Sequence, residues 1–269
     1  MEGKLSLKKR VIVKIGGSFI TDKNKPESLQ EDRVRKIARE IADAVQTGEV
    51  SLLLTHGAGS YGHIAAKRYD AQRGKHPEFG WKAFYEIRQD MSRMNLRLLQ
   101  LFGEEGLFPI TIQPSAIIMA RSGKIQNVDT RNIRFLMDSN QIPLIHGDIV
   151  LDEKQGFTIA STEDQIQMLN DYIFFHRIIL ISDVQGVLDS DGKVIPKIDR
   201  DNYTQIIQQL GGSAGLDVTG GMRSKVEQIY QIIKNNASTK AFIISGESET
   251  GIIAKTILGE IETETIICY

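Results

Sequence analysis

Cysteine is almost missing from this chain. The one present, Cys268, excludes an intramolecular disulfide and cannot build a zinc site by itself. Long apolar runs are missing as well. None approaches the roughly 18–20 residues of a membrane helix, and the N-terminus lacks the apolar core of a signal peptide. The expected compartment is therefore the cytoplasm. Net charge is nearly absent, at -1 from 33 basic and 34 acidic residues, which removes the electrostatic case for nucleic-acid or membrane binding. Lys8-Lys9-Arg10 is too short to alter that and reads as a solvated lead-in to the first strand. No repeat, low-complexity segment or proline-rich linker divides the chain. Its 269 residues suffice for one large α/β domain or two small ones.

What is present is alternation of strand and helix patterns. Val11–Ile15, Ser51–Thr55, Phe108–Ile112, Ile142–Ile145, Arg177–Ser182, Ala241–Ser245 and Glu264–Cys268 read as strands, and 149–159 as a hairpin turning at Lys154-Gln155-Gly156. Apolar residues at helical spacing mark helices over 31–46, about 77–105 with Pro77 in the first turn, 161–171 and 222–234. Ser161 and Asp164 have the spacing of a capping box. Such alternation predicts an α/β fold with a mostly parallel sheet covered on both faces. The glycine-rich stretch 211–221 separates two lobes at most.

Parallel sheets bind ligands beyond the carboxyl ends of their strands. Three glycine-rich stretches follow a strand or precede a helix: Gly16-Gly17-Ser18, the eight residues from His56 to His63, and Val218-Thr219-Gly220-Gly221-Met222. Glycine lets backbone N–H groups come close to an anion, and a helix N-terminus adds its dipole. Taken singly, each is as well explained as a tight turn. None has the Gly-Lys-Ser/Thr phosphate loop or the Gly-x-Gly-x-x-Gly spacing. Two lysines sharpen the pattern. Lys14 stands one residue before the end of its strand, and Lys225 lies in the first turn of the helix after Gly220-Gly221, where it opposes the dipole. Cations and N–H donors grouped in this way suit phosphoryl transfer, in which the protein has little covalent work to do.

Lys14-Ile-Gly-Gly-Ser, Ser182-Asp183-Val-Gln-Gly186-Val and Asp217-Val-Thr-Gly-Gly221-Met-x-x-Lys225 together resemble the amino acid kinase family. The motif His56-Gly-Ala-Gly-Ser-Tyr-Gly-His63, with Lys23 and Ser161-Thr-Glu-Asp-Gln, is similar to the branch of that family that phosphorylates isopentenyl phosphate. The likeness runs in order along nearly the whole chain. It implies a homodimer of open αβα sandwiches, each with an N-terminal acceptor lobe (about 1–175) and a C-terminal lobe (about 176–269) for ATP and Mg2+. It also implies roles. Lys14 and Lys23 would bridge the transferring phosphoryl group, Lys225 would serve the leaving side, and Asp164 would hold Lys14 and Lys225 in place. For Asp164, plain helix capping is an equal alternative. Ala58, Gly59, His63 and Thr162 would hold the acceptor. Gly16, Gly17, Ser18, Gly59, Asp183 and Gly221, with the two lysines, would hold ATP. No metal ligands are assigned.

The chain departs from the family pattern at several points. Ala58 replaces a glycine, which is tolerable only at negative φ. The segment Leu188–Gly192 lacks the usual Asp-Pro. Ser245-Gly246 replaces a common Asn-Gly, and Glu264-Thr265 a common Gly-Thr. His56 reads as a loop support, and His76, His146 and His176 as structural or exposed, without metal-ligand spacing. Trp81, Met91, Met94 and Leu98 read as core, or as the wall of an apolar pocket for the acceptor tail. Phe84, Met91 and Met94 are the candidates for limiting tail length. Two alternatives stay open at this point: another small phosphate or phosphonate kinase of the same fold, such as a fosfomycin kinase, and a non-catalytic anion-binding protein on that scaffold.

Overall fold

The computed structural model describes residues 8–22, 25–212 and 221–269. Along the chain run β1 (Lys9–Ile15), α1 (Gly17–Ile20), α2 (Glu31–Gln46), β2 (Val50–His56), α3 (Gly59–Arg68), α4 (Trp81–Glu104), β3 (Ile110–Thr111), α5 (Pro114–Ile117), β4 (Ile118–Arg121) and β5 (Lys124–Val128). Then follow α6 (Arg131–Asp138), β6 (Pro143–His146), β7 (Asp148–Asp152), β8 (Gly156–Ala160), α7 (Thr162–Tyr172), β9 (Arg177–Ser182) and β10 (Lys197–Ile198). The last elements are α8 (Tyr203–Gly212), α9 (Gly221–Asn235), β11 (Lys240–Ser245), α10 (Ile252–Leu258) and β12 (Thr265–Ile267).

Eight strands form one sheet in the order β10-β12-β11-β9-β1-β2-β6-β3, in which β11–β12 is the antiparallel pair and the rest are parallel. A second, four-stranded sheet has the order β5-β4-β7-β8. The main sheet is the middle layer of an open αβα sandwich. The period-two alternation of strands is visible in β1, whose Val11, Val13 and Ile15 pack with α2, α4 and α10 while Ile12 packs on the other face with α6, α7, α8 and α9. Lys14 shares the parity of Ile12, so its strand aims it toward α7 and α9.

The structure revises several expected elements. The long helix starts at Trp81, not Pro77, because the Gly80 N–H turns back to the His76 carbonyl at 2.9 Å with Gly80 at φ +53. Trp81 is 50% exposed, whereas Met91, Met94 and Leu98 are buried in the core. The strand expected over 108–112 shrinks to Ile110–Thr111, since only those residues pair with β6 at the sheet edge. Helices α1, α3, α5, α6, α8 and α10, and strands β4, β5 and β10, are additions to the elements expected above. The expected hairpin turns where the Asp152 carboxylate accepts the N–H groups of Lys154 and Gln155 at 2.8 and 3.0 Å. Among the described residues no helix is long and apolar enough to cross a membrane.

One buried carboxylate fastens α10 to α2. Glu40, 2% exposed, accepts the N–H groups of Gly251, Ile253 and Ala254 at 3.0, 2.9 and 3.4 Å. Those are the otherwise unpaired donors of a helix start. Glu40→Ala is expected to lower the unfolding free energy by about 2–3 kcal/mol, and Glu40→Gln, which keeps a carbonyl oxygen, by less. Urea denaturation measures both, and an unchanged midpoint in the two variants would mean that water serves that helix start equally well.

Candidate functional site

A row of glycines continues the sheet one residue past its strands. The Gly16 N–H donates to the last turn of β9 at the Ile181 carbonyl (2.8 Å), Gly57 to Ile15 (2.9 Å), Gly147 to His56 (3.1 Å) and Gly246 to Ser182 (2.9 Å). The carboxyl ends of β1, β2, β6, β9 and β11 are thereby drawn level, and the loops after them lie side by side. A Cβ on Gly17 would stand 2.3 Å from the Gly59 nitrogen, and one on Gly57 would stand 2.8 Å from the Gly17 nitrogen. Side chains cannot enter that seam. Thr21 closes it: its hydroxyl donates to the Gly17 carbonyl at 2.7 Å and accepts the Ser60 N–H at 2.9 Å. Ala58 sits at φ -75, so its methyl group is tolerated where relatives have glycine.

Beside this seam opens a cleft of about 850 Å³. One end is polar. Lys14, the β1–α1 loop, the loop at Gly57–Gly59, the start of α7 and Lys225 of α9 all border it. The other end is mostly apolar, with Ile87 and Met91 of α4 and Ile159 and Ala160 of β8, and among them sits the buried Asp148 carboxylate, whose pKa burial raises to about 6. His63, on α3, borders the cleft as well. Gly62 brings α3 onto α4, since a Cβ there would lie 2.8 Å from the Met91 sulfur. Met91 therefore borders the tail end, whereas Phe84 and Met94 do not.

The charges are arranged around Lys14. Its side chain is 8% exposed and its ammonium pairs with Glu163 in the first turn of α7. Burial pulls the Lys14 pKa down, Glu163 pushes it up, and Lys225 pulls it down again. Burial works to raise the Glu163 pKa, but Lys14, the backbone and the Thr162 hydroxyl, which donates at 3.0 Å, hold it below the ordinary value. Asp164 does not hold Lys14. Its carboxylate accepts the Ser161 hydroxyl at 2.6 Å while its N–H donates to the same oxygen at 3.1 Å. It also accepts from Gln228 of α9 at 3.4 Å. The reciprocal cap turns Asp164 toward the helix start and leaves the neighbouring Glu163 to enter the cleft. The motif Ser161-Thr-Glu-Asp-Gln contained that carboxylate, but one residue of helical rotation decides which acid faces Lys14.

His63 is exposed to the cleft, and its pKa is lowered chiefly by the protein packed around it, with Glu163 raising it and Lys14 lowering it. Gly16, Gly17, Ser18, Gly59, Thr162, Gly221 and Lys225 all border the same cleft. Asp183 is exposed just after β9 and stands outside that lining. Lys23, Val218, Thr219 and Gly220 lie outside the described residues.

The histidines under the cleft are structural. His56 and His146, register partners on β2 and β6, stack with ring centroids 5.1 Å apart. Burial pushes His146 down to about 3, helped by His56. His56 is likewise lowered by burial and meets Asn95 of α4 at 3.3 Å. Gln165 of α7 donates to the carbonyls of His146 and Ala160 at 2.8 and 3.0 Å, which fixes the helix start over the cleft. Among the described residues there is no cluster of three His, Cys, Asp or Glu side chains able to cage a metal.

The sequence profile described as the Amino acid kinase family matches residues 9–245. An isopentenyl phosphate kinase of Methanocaldococcus jannaschii is 36% identical over 258 residues, covering 93% of this chain and 96% of its own. One from Methanothermobacter thermautotrophicus is 29% identical with the same coverage. A solved isopentenyl phosphate kinase structure superposes with a TM-score of 0.79 at 27% identity, covering 96% of this chain and 99% of its own. With its glycine seam, paired lysines and open αβα sheet, the chain belongs to the amino acid kinase family.

Proposed function

We infer that this chain is a phosphotransferase that uses ATP to convert isopentenyl phosphate to isopentenyl diphosphate. The observation that carries the acceptor is the cleft itself, cationic and rich in N–H groups at one end and lined at the other by Ile87, Met91, Ile159 and Ala160, with the buried Asp148 carboxylate among them. A phosphate monoester with a short hydrocarbon tail fits both ends. Burying five carbons there would contribute roughly 3–4 kcal/mol at about 0.8 per methylene. An acceptor as small and polar as fosfomycin would leave the apolar wall uncovered. A binder without catalysis would have no need of a second cation on the leaving side.

The reaction joins two anions, and their repulsion is what the site must offset. An acceptor phosphate oxygen attacks the γ-phosphorus, the bond to the bridging oxygen breaks, and ADP departs with that electron pair. The attacking oxygen carries its own charge, so no general base is required. Lys14 is the cation for the transferring group; burial lowers its pKa, and the paired Glu163 works against that shift. Lys225 serves the leaving side, and Lys23 joins Lys14 in bridging the transferring phosphoryl group. Thr162 and the first N–H groups of α7 offer an anion seat at a helix start, and the loop N–H groups at Gly16–Ser18 and Gly59 another. Magnesium would ride on the nucleotide phosphates and neutralise part of their charge when bound.

Residues to about 175 are the acceptor lobe and 176–269 the nucleotide lobe, with Asp183 and Gly221 on the nucleotide side. The finer reading is a cytoplasmic homodimer. The sheet ends in β3, which has no strand beyond it among the described residues, and Phe108 and Ile110 there are 72% and 43% exposed. A second copy would cover that edge.

A coupled ADP-release assay across isopentenyl phosphate, dimethylallyl phosphate, fosfomycin, UMP and acetylglutamate tests the assignment. Turnover confined to one of the last three would overturn it. Gly17→Ala forces one of the two seam loops aside, and a displacement of that size is expected to lower kcat about 100-fold with the circular dichroism unchanged. Ala58→Gly should stay within a few fold. Wild-type turnover by Gly17→Ala would show that the seam does not set the site.

His63 should be neutral in the free protein at pH 7, since its pKa lies below the ordinary 6.5. A bound phosphate dianion favours the charged form, so acceptor binding should draw a proton onto His63. Calorimetry in buffers of different ionisation enthalpy should show more proton uptake for wild type than for His63→Gln. His63→Gln, a neutral donor, should keep more activity than His63→Ala, with ATP affinity within a few fold in both. Equal loss of ATP affinity would place His63 on the nucleotide side.

Met91→Ala should extend turnover to ten-carbon monophosphates, whereas Phe84→Ala and Met94→Ala, which remove no cleft-lining group, should not. An unchanged chain-length profile in Met91→Ala would mean that α4 only packs.

A further inference from the structure

We propose that the Arg88–Asp148 ion pair is a positioning element that sets how long an acceptor tail the cleft admits; this rests on the acceptor reading above. Arg88 lies on α4 between Ile87 and Met91, the two residues of that helix that border the tail end of the cleft. Asp148 begins β7, and its register partner across the hairpin is Ala160, with Ile149 opposite Ile159. Ala160 and Ile159 form the facing wall. Asp148 itself borders the cleft, and the Arg88 Nη1 to Asp148 Oδ2 contact of 3.2 Å ties α4 to the strand that carries it.

The carboxylate is fixed on every side. Its Oδ2 also accepts the Gln113 amide ahead of α5, and its Oδ1 accepts the Ile149 N–H at 2.8 Å. The Asp148 side chain has no solvent exposure and that of Arg88 has 23%. Burying such a pair seldom stabilises more than apolar residues of the same volume. What it adds is direction. Apolar contacts let a helix slide or tilt at little cost, whereas a charged hydrogen bond is lost within a fraction of an ångström.

A second tie lies two turns along the same stripe of α4. Asn95 donates to the Thr111 hydroxyl at 3.0 Å and meets His56 at 3.3 Å. Met91, halfway between the ties, is pressed against α3 at Gly62. The helix is thus held to the small sheet on one side of the residue that closes the tail pocket and to the main sheet on the other. Freeing the Arg88 end lets α4 move outward and deepens the pocket.

The test uses the full chain and four proteins: wild type, Arg88→Met, Arg88→Lys and Asp148→Asn. For each, kcat/KM is measured with isopentenyl phosphate and with geranyl phosphate, alongside the KM for ATP and the melting temperature. Arg88→Met is expected to raise the ten-carbon to five-carbon ratio by about tenfold or more, a shift of about 1.4 kcal/mol in relative transition-state binding. The change should fall mainly on acceptor KM, with the ATP KM within about twofold. Arg88→Lys, which keeps charge without the guanidinium fork, should lie between. A flat ratio in Arg88→Met and Asp148→Asn, with isopentenyl phosphate turnover retained, overturns the proposal. An equal fall for both acceptors, which a merely structural role would give, overturns it too. Should Arg88→Met show no cooperative melt, Arg88→Lys and Asp148→Asn decide by the same ratio. A wild-type protein inactive on isopentenyl phosphate removes the acceptor reading itself, and the proposal falls with it.

Discussion

Two backbones that approach closer than any side chain allows govern the rest of this molecule. At the seam between the loops after β1 and β2, a methyl group on Gly17 would sit 2.3 Å from the Gly59 nitrogen. Only because that seam closes can the N–H groups of both loops face one small volume. The parallel sheet supplies the frame: adjacent strands ending at one level put their following loops together. Thr21 then locks the two loops with a single hydroxyl that both donates and accepts.

A cation placed in the cleft beside such a seam has a problem of its own. Burial lowers the Lys14 pKa and so works against the charge that phosphoryl transfer needs. Glu163 answers this by supplying a carboxylate from the first turn of α7; burial works to raise its own pKa, and Lys14 first, then the backbone and the Thr162 hydroxyl, hold it down. The pair is neutral overall, so the unliganded cleft does not hold an isolated buried charge. Two incoming anions meet a lysine that its carboxylate partner already holds in place.

Much of this was legible in the residues, and what was not has physical causes. Strong periodicity gave α2 to the residue and the parallel core strands to within one or two positions, because burial on one or both faces writes a pattern. Short elements such as α1, α5 and β10 leave too few turns to write one. Site residues drawn from glycine spacing and from lysines at strand or helix ends converge on one cleft. Asp183 stands apart from it, because the chain turns away after β9. The exchange of Asp164 for Glu163 at Lys14 was not legible, since adjacent residues in a first helical turn differ by about 100° in direction, and capping decides which one is spent on the helix. Thr21 and the Arg88–Asp148 pair carry no sequence signal at all; their partners lie 39 and 60 residues away.

The departures from the family pattern near the C-terminus are themselves explained by contacts. Glu264 stands at φ +56, where relatives commonly have glycine and where an L-residue is strained by roughly 1–2 kcal/mol. Its carboxylate accepts the Ser245 N–H at 2.5 Å and the Ser248 hydroxyl. Hydrogen bonds to a carboxylate are worth about 1.5–3 kcal/mol each, enough to offset that strain. They hold the loop after β11 at the place where relatives commonly carry an asparagine. In this chain the residues at 245 and 264 are thus in direct contact. The segment without Asp-Pro is closed in the same manner, by the Asp189 carboxylate accepting the N–H groups of Asp191 and Lys193 at 2.9 Å each. In both loops a side-chain carboxylate gathers the N–H groups of the turn, so the chain is held there by hydrogen bonds from a side chain and not by backbone freedom.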